Sequence, residues 1–135
     1  MVIISQTLNP LSPPSSESGR DEVRLVNLTP HSIDVYDENN RKVLSIPPSG
    51  IVLRAVAIRE KVGEINGIPV YSVKYRVPEL PEPRKGVYYI VSSVVLMLLK
   101  AYGIQRDDVL SPDTDRAVRD DKGRIVGVRG FVRMR

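Results

Sequence analysis

The stretch Val23-Arg24-Leu25-Val26-Asn27-Leu28-Thr29-Pro30-His31-Ser32-Ile33-Asp34-Val35-Tyr36 decides the fold. Apolar and polar residues alternate up to Leu28, break at Thr29-Pro30-His31, and alternate again through Tyr36, which is the period of a strand with one face covered. Pro30 fixes its own φ and biases Thr29 towards extended backbone, so the break is a rigid corner between two strands. A chain that opens its ordered part this way is built from short β segments.

The same pattern continues outward from that corner. Asp37-Glu38-Asn39-Asn40 is a polar loop, Lys42 to Ile46 a short strand stopped by Pro47-Pro48-Ser49-Gly50, and Ile51 to Ile58 a longer strand. Asn66-Gly67 is the strongest hairpin signal, because both residues tolerate the positive φ of a type I′ turn; it joins Lys61 to Ile65 with Ile68 to Val77. Tyr71, Val73, Tyr75 and Val77 alternate with Ser72, Lys74 and Arg76, which predicts a strand buried on one side. Val87 to Val91 is a short apolar strand. Ser92 to Tyr102 then reads as a helix closed by Gly103, apolar almost all round and expected to be covered by the sheet. Arg116 to Arg119 and Arg124 to Val132 flank the turn Asp120-Asp121-Lys122-Gly123. The expected fold is α+β: mainly antiparallel β, about seven or eight strands in a barrel- or sandwich-like arrangement, with one buried helix.

Before Val23 the character changes. Gln6 to Gly19 is rich in Pro and Ser, so residues 1–22 form an N-terminal arm and residues 23–135 a single globular domain, a size that buries a core without staples. Met1-Val2-Ile3-Ile4 is suited to an edge strand, and an arm packed on a neighbouring copy gives a homo-oligomer through residues 1–20. The chain has no cysteine, which excludes disulfides, a thiolate nucleophile and a cysteine-ligated zinc. Its longest apolar run, Val94 to Leu99, is too short to cross a bilayer, and no export signal opens the chain, so no membrane partner and a cytoplasmic location are expected. A net charge of +4 favours anionic partners without identifying one. Fourteen arginines against six lysines, with eleven prolines, suit a protein from a hot environment.

Four groups of residues could carry chemistry. Alternation points Asn27, Thr29 and His31 to one side of the first strand, where amide, hydroxyl and imidazole could meet a small ligand or a proton; the plainer reading is that Asn27 and Thr29 satisfy backbone at a strand end. Ser92 opens the helix, where free N–H groups attract phosphate, but Ser is also a common N-cap and no glycine-rich loop precedes it. The acidic loop Asp107 to Asp115 matches no EF-hand and reads as turns, so no metal ligand and no cofactor is assigned. Lys122, Arg124, Arg129, Phe131 and Arg133 lie in a stretch without acids after Asp121, and Arg129, Phe131 and Arg133 share one face, which could follow a nucleic-acid backbone. Scattered arginines are also what a solvated face carries. No catalytic residue is assigned.

Five motifs occur in order: Val26-Asn27-Leu28-Thr29-Pro30-His31, Ile46-Pro47-Pro48-Ser49-Gly50, Gly67-Ile68-Pro69-Val70, Tyr89-Ile90-Val91-Ser92, and Asp120-Asp121-Lys122-Gly123-Arg124-Ile125-Val126-Gly127-Val128-Arg129-Gly130-Phe131. Together they resemble a family of small uncharacterised proteins of viruses, phages and some bacteria, over roughly Val23 to Val132. Leu80 to Gly86 departs from that pattern. The resemblance implies a viral or mobile-element accessory protein, for a hot environment an archaeal virus, and implies no mechanism. The expected function is a binding module for nucleic acid or for its own copies. The alternatives are an enzyme or phosphorylated small-molecule binder with a pocket around His31 and Ser92, and a structural component assembled through the N-terminal arm.

Overall fold

The computed structural model describes residues 22–134. The N-terminal arm up to residue 21, and any assembly through residues 1–20, therefore lie outside the described residues. The order is β1 (Arg24–Asn27), β2 (Ile33–Tyr36), β3 (Lys42–Ile46), β4 (Val56–Ile65), β5 (Ile68–Arg76), β6 (Val87–Ile90), α1 (Ser93–Ala101), β7 (Val109–Pro112), a 3₁₀ turn, β8 (Ala117–Arg119), β9 (Ile125–Val128) and β10 (Phe131–Val132).

Three sheets result: a four-stranded sheet ordered β1-β6-β7-β10, a second ordered β3-β2-β9-β8, and the hairpin β4-β5 standing apart. The α+β class holds, but the strands number ten among the described residues, and none of the sheets closes into a barrel. Antiparallel neighbours predominate, in four of the seven strand pairs, but the other three pairs are parallel. β1 runs parallel to β6, β6 parallel to β7, and β2 parallel to β9. The reason is connectivity. β6 reaches β7 through α1, a crossover that delivers the next strand in the same direction.

Two apolar clusters hold the body together. Val26, Leu28, Tyr89 and Val91 pack with Val95, Leu96 and Leu99 of α1 and with Val109. Ile33, Ile46, Ile90 and Val128 form the other. Because successive side chains of a strand point to opposite faces, β6 serves both: Tyr89 and Val91 face the helix while Ile90 faces the second sheet. Burying each aliphatic side chain contributes about 1.5–3 kcal/mol.

The helix begins where Ser92 Oγ accepts the Val95 N–H at 3.3 Å, and ends at Gly103, whose φ of +74° is the left-handed conformation of a C-terminal cap. Its burial is partial. Val95, Leu96 and Leu99 are inside, whereas Val94 and Met97 are exposed, so one apolar stripe that was expected to be covered is not.

The larger correction concerns the hairpin. Asn66 and Gly67 adopt the positive φ values the turn requires, and β4 pairs with β5 from Ile65↔Ile68 back to Val56↔Arg76, with Val62 as a bulge. The strand expected from Ile51 thus pairs only from Val56. Every residue of β4 is exposed, and so is all of β5 except half-buried Val70. The alternating Tyr71, Val73 and Tyr75 signal a face that nothing among the described residues covers.

The C-terminal strand is also divided. Asp120-Asp121-Lys122-Gly123 turns as expected, with Asp120 Oδ1 accepting the N–H groups of Lys122 at 2.9 Å and Arg124 at 3.0 Å. After Val128 the chain leaves the second sheet, and β10 pairs with β7 in the first. Arg129 lies between β9 and β10 and Arg133 beyond β10, so Arg129, Phe131 and Arg133 do not form one continuous strand face.

Candidate functional site

Asn27 and Thr29 meet His31 through the backbone. Asn27 Nδ2 donates to His31 O at 2.8 Å and to Ile46 O at 3.1 Å, while Asn27 Oδ1 accepts from Thr29 N at 2.9 Å and from Thr29 Oγ1 at 2.7 Å. All four hydrogen-bonding directions of this amide are used inside the protein. Pro30 breaks the ladder, and Asn27 replaces the lost partners by tying the corner to the end of β3. The His31 side chain is exposed and makes no hydrogen bond among the described residues. The polar groups of this corner are spent on backbone.

Ser92 uses its hydroxyl as the helix cap, and no hydrogen bond joins it to the Asn27 network among the described residues. A cavity of about 240 Å³ does adjoin β1, but its walls are Arg24, Val26, Pro81, Glu82, Arg84, Val87 and Tyr89. His31 and Ser92 do not line it. At its floor the Tyr89 hydroxyl donates to Glu82 O at 3.1 Å, and burial raises the phenol above its ordinary pKa, with the charge on Arg84 opposing. Beside it Arg106 grips Asp108 with two parallel bonds of 2.8 and 2.9 Å and donates to Pro81 O at 2.8 Å, pinning the proline-rich loop to the first sheet. The Asp108 carboxylate raises the pKa of Arg106 further, so the guanidinium stays charged at every ordinary pH.

The basic residues near the C-terminus have internal tasks. Arg129 donates to Asp37 O and Asn40 Oδ1, Arg133 Nε to Asp107 O at 3.0 Å, and Arg124 Nε to Asp120 Oδ2 at 2.9 Å. The bonds from Arg124 and Lys122 hold the Asp120 carboxyl below its ordinary pKa. Phe131 packs on the cluster of Ile33, Ile46, Ile90 and Val128. Lys122 alone of the five keeps an exposed side chain without a partner among the described residues. Arg129 and Arg133 keep their charge, but their N–H groups, like those of Arg124, are directed to oxygens of the fold itself. Among the described residues, no group of three or more His, Asp or Glu is placed to hold a metal.

The surface that sequence reasoning missed is the hairpin. Ile65 and Ile68 at its tip are each 65% exposed, and Val56, Ile58, Val62, Tyr71, Val73 and Tyr75 are exposed along its length. The signal was present in β5: apolar residues occupy 68 and 70, then 71, 73 and 75, so the parity changes at Val70-Tyr71 and both faces carry apolar side chains. A strand buried on one face keeps its parity. At the root, Tyr102 Oη donates to Tyr75 O at 2.7 Å and fastens the hairpin to the end of α1.

No protein family, curated protein or solved structure matches the chain. Among the described residues, no helix is long and apolar enough to cross a membrane.

Proposed function

We propose that this protein is a binding module, an accessory protein of a virus or mobile element, that works by holding another protein through the β4–β5 arm. The observation that carries this reading is the exposure of apolar side chains on both faces of an isolated two-stranded hairpin. Such a ribbon is marginally stable alone in water, and contiguous exposed apolar surface marks an interaction site. The commitment of Arg124, Arg129 and Arg133 to internal oxygens favours a protein partner over nucleic acid. The viral or mobile-element setting rests on the ordered motifs of the sequence.

An apolar fluorescent probe such as anilinonaphthalene sulfonate tests the arm as a binding surface. The dilute protein binds the probe, and the double substitution Ile58→Lys and Tyr71→Lys removes most of the signal with far-UV circular dichroism unchanged. Probe binding unaffected by these changes would overturn the reading. So would salt-sensitive retention by DNA or RNA that survives the arm substitutions and is lost with Arg129→Ala and Arg133→Ala.

A further inference from the structure

The cavity beside β1 grades from an apolar floor to a charged mouth, and it shares no residue with the β4–β5 arm. Val26 and Tyr89 are register partners on neighbouring strands, each 6% exposed, and with Val87 they form the floor on the helix side of the first sheet. Another wall is Pro81 of the proline-rich loop. That loop is fixed in place by the bonds from Tyr89 Oη to Glu82 O and from Arg106 Nη2 to Pro81 O, so the concavity is built into the fold.

The mouth is marked by Arg24 and Arg84, whose side chains reach solvent. Their charges are not equally committed. Arg24 has Glu22 at 3.9 Å, whereas the Arg84 side chain makes no hydrogen bond or ion pair among the described residues. The Arg84 charge is felt at the Tyr89 hydroxyl, which sets the guanidinium towards the cavity. A guanidinium fork matches a carboxylate through two parallel bonds. The Glu82 carboxylate, on the same wall, repels a second negative charge on the ligand.

We infer that this cavity binds a small monocarboxylate with an apolar body, its carboxylate held by Arg84 and its body laid on Val26, Val87 and the Tyr89 ring. A concave site with an apolar lining and a few placed polar groups is what such a ligand needs. The volume sets its size. An apolar cavity of about 150 Å³ holds benzene, so about 240 Å³ accommodates a body of about ten non-hydrogen atoms, the scale of a branched or aryl-substituted short-chain acid.

Titration of the full chain with 3-phenylpropanoate, followed by amide nitrogen–proton correlation spectra, is the test. Saturable shifts are expected at Arg24, Val26, Val87 and Tyr89. The neutral amide of the same acid binds at least tenfold more weakly, and inorganic phosphate leaves these signals in place. Arg84→Gln weakens the acid at least tenfold without changing the affinity for the amide, and Val87→Phe, which fills the cavity, removes binding of both with far-UV circular dichroism unchanged. Absence of shifts at these residues, shifts confined to β4 and β5, equal binding of acid and amide, phosphate binding as tight as that of the acid, or indifference to Arg84→Gln overturns the inference. None of these outcomes bears on the arm, whose reading stands or falls with the fluorescent probe.

Discussion

Asn27 is 1% exposed and uses its whole amide to close the corner at Thr29-Pro30-His31, whereas Ser111, also fully buried, has a hydroxyl without a partner among the described residues. The two therefore respond differently to the same change. Asn27→Ala removes the amide's bonds to the Ile46 and His31 carbonyls and to the Thr29 N–H, leaving His31 O only the Thr29 hydroxyl, and should cost about 2–4 kcal/mol in denaturant titrations. Ser111→Ala removes a hydroxyl that gains little from burial, and its cost should stay below about 1 kcal/mol or turn into a small gain. Equal losses in the two variants would show that the Asn27 network contributes nothing beyond packing. The polar character of the corner was legible from Asn27, Thr29 and His31 in the sequence. Its purpose was not, since the carbonyl of Ile46 belongs to a strand 19 residues away.

At the level of elements, β2 and β9 meet closely at Gly127. A Cβ placed on Gly127 would lie 2.6 Å from Asp34 O and 2.5 Å from Tyr36 Cε1. The Tyr36 ring can move, but the carbonyl belongs to the strand itself. Gly127→Ala should push the two strands apart and cost about 1–3 kcal/mol, read as a lowered melting temperature, while Gly123→Ala in the adjoining turn strains only a surface loop. Both glycines stand in the segment Gly123-Arg124-Ile125-Val126-Gly127, where turn chemistry identifies the first and only the packed neighbour explains the second. Elements defined by local chemistry were readable in this way. The Asn66-Gly67 turn, the Asp120–Gly123 turn and the Ser92 cap sit where residue type and spacing put them, because each depends on groups within a few residues.

For the molecule as a whole, Ile90 is the joint. Its side chain is fully buried between Ile33, Ile46 and Val128 of the second sheet, while its own strand and its neighbours Tyr89 and Val91 belong to the first sheet and its helix-side core. Ile90→Ala should cost about 2–5 kcal/mol through the cavity it leaves. Because both sheets rest on this side chain, unfolding followed by far-UV circular dichroism and by tyrosine fluorescence should remain a single coincident transition at the lower stability. Two separated transitions would mean that the sheets fold independently.

What the sequence by itself determined is the local vocabulary: strands, the places where they turn, and one helix with its caps. These follow from φ and ψ preferences and from period, which act between near neighbours. Only the tertiary structure decided which strands pair, that three of the pairings are parallel, that Arg129 reaches back to Asp37, and that the β4–β5 arm stands uncovered. Alternation announces that a strand has an apolar face. What covers that face depends on surfaces brought together across the whole chain, or brought by another molecule, and no local preference encodes it.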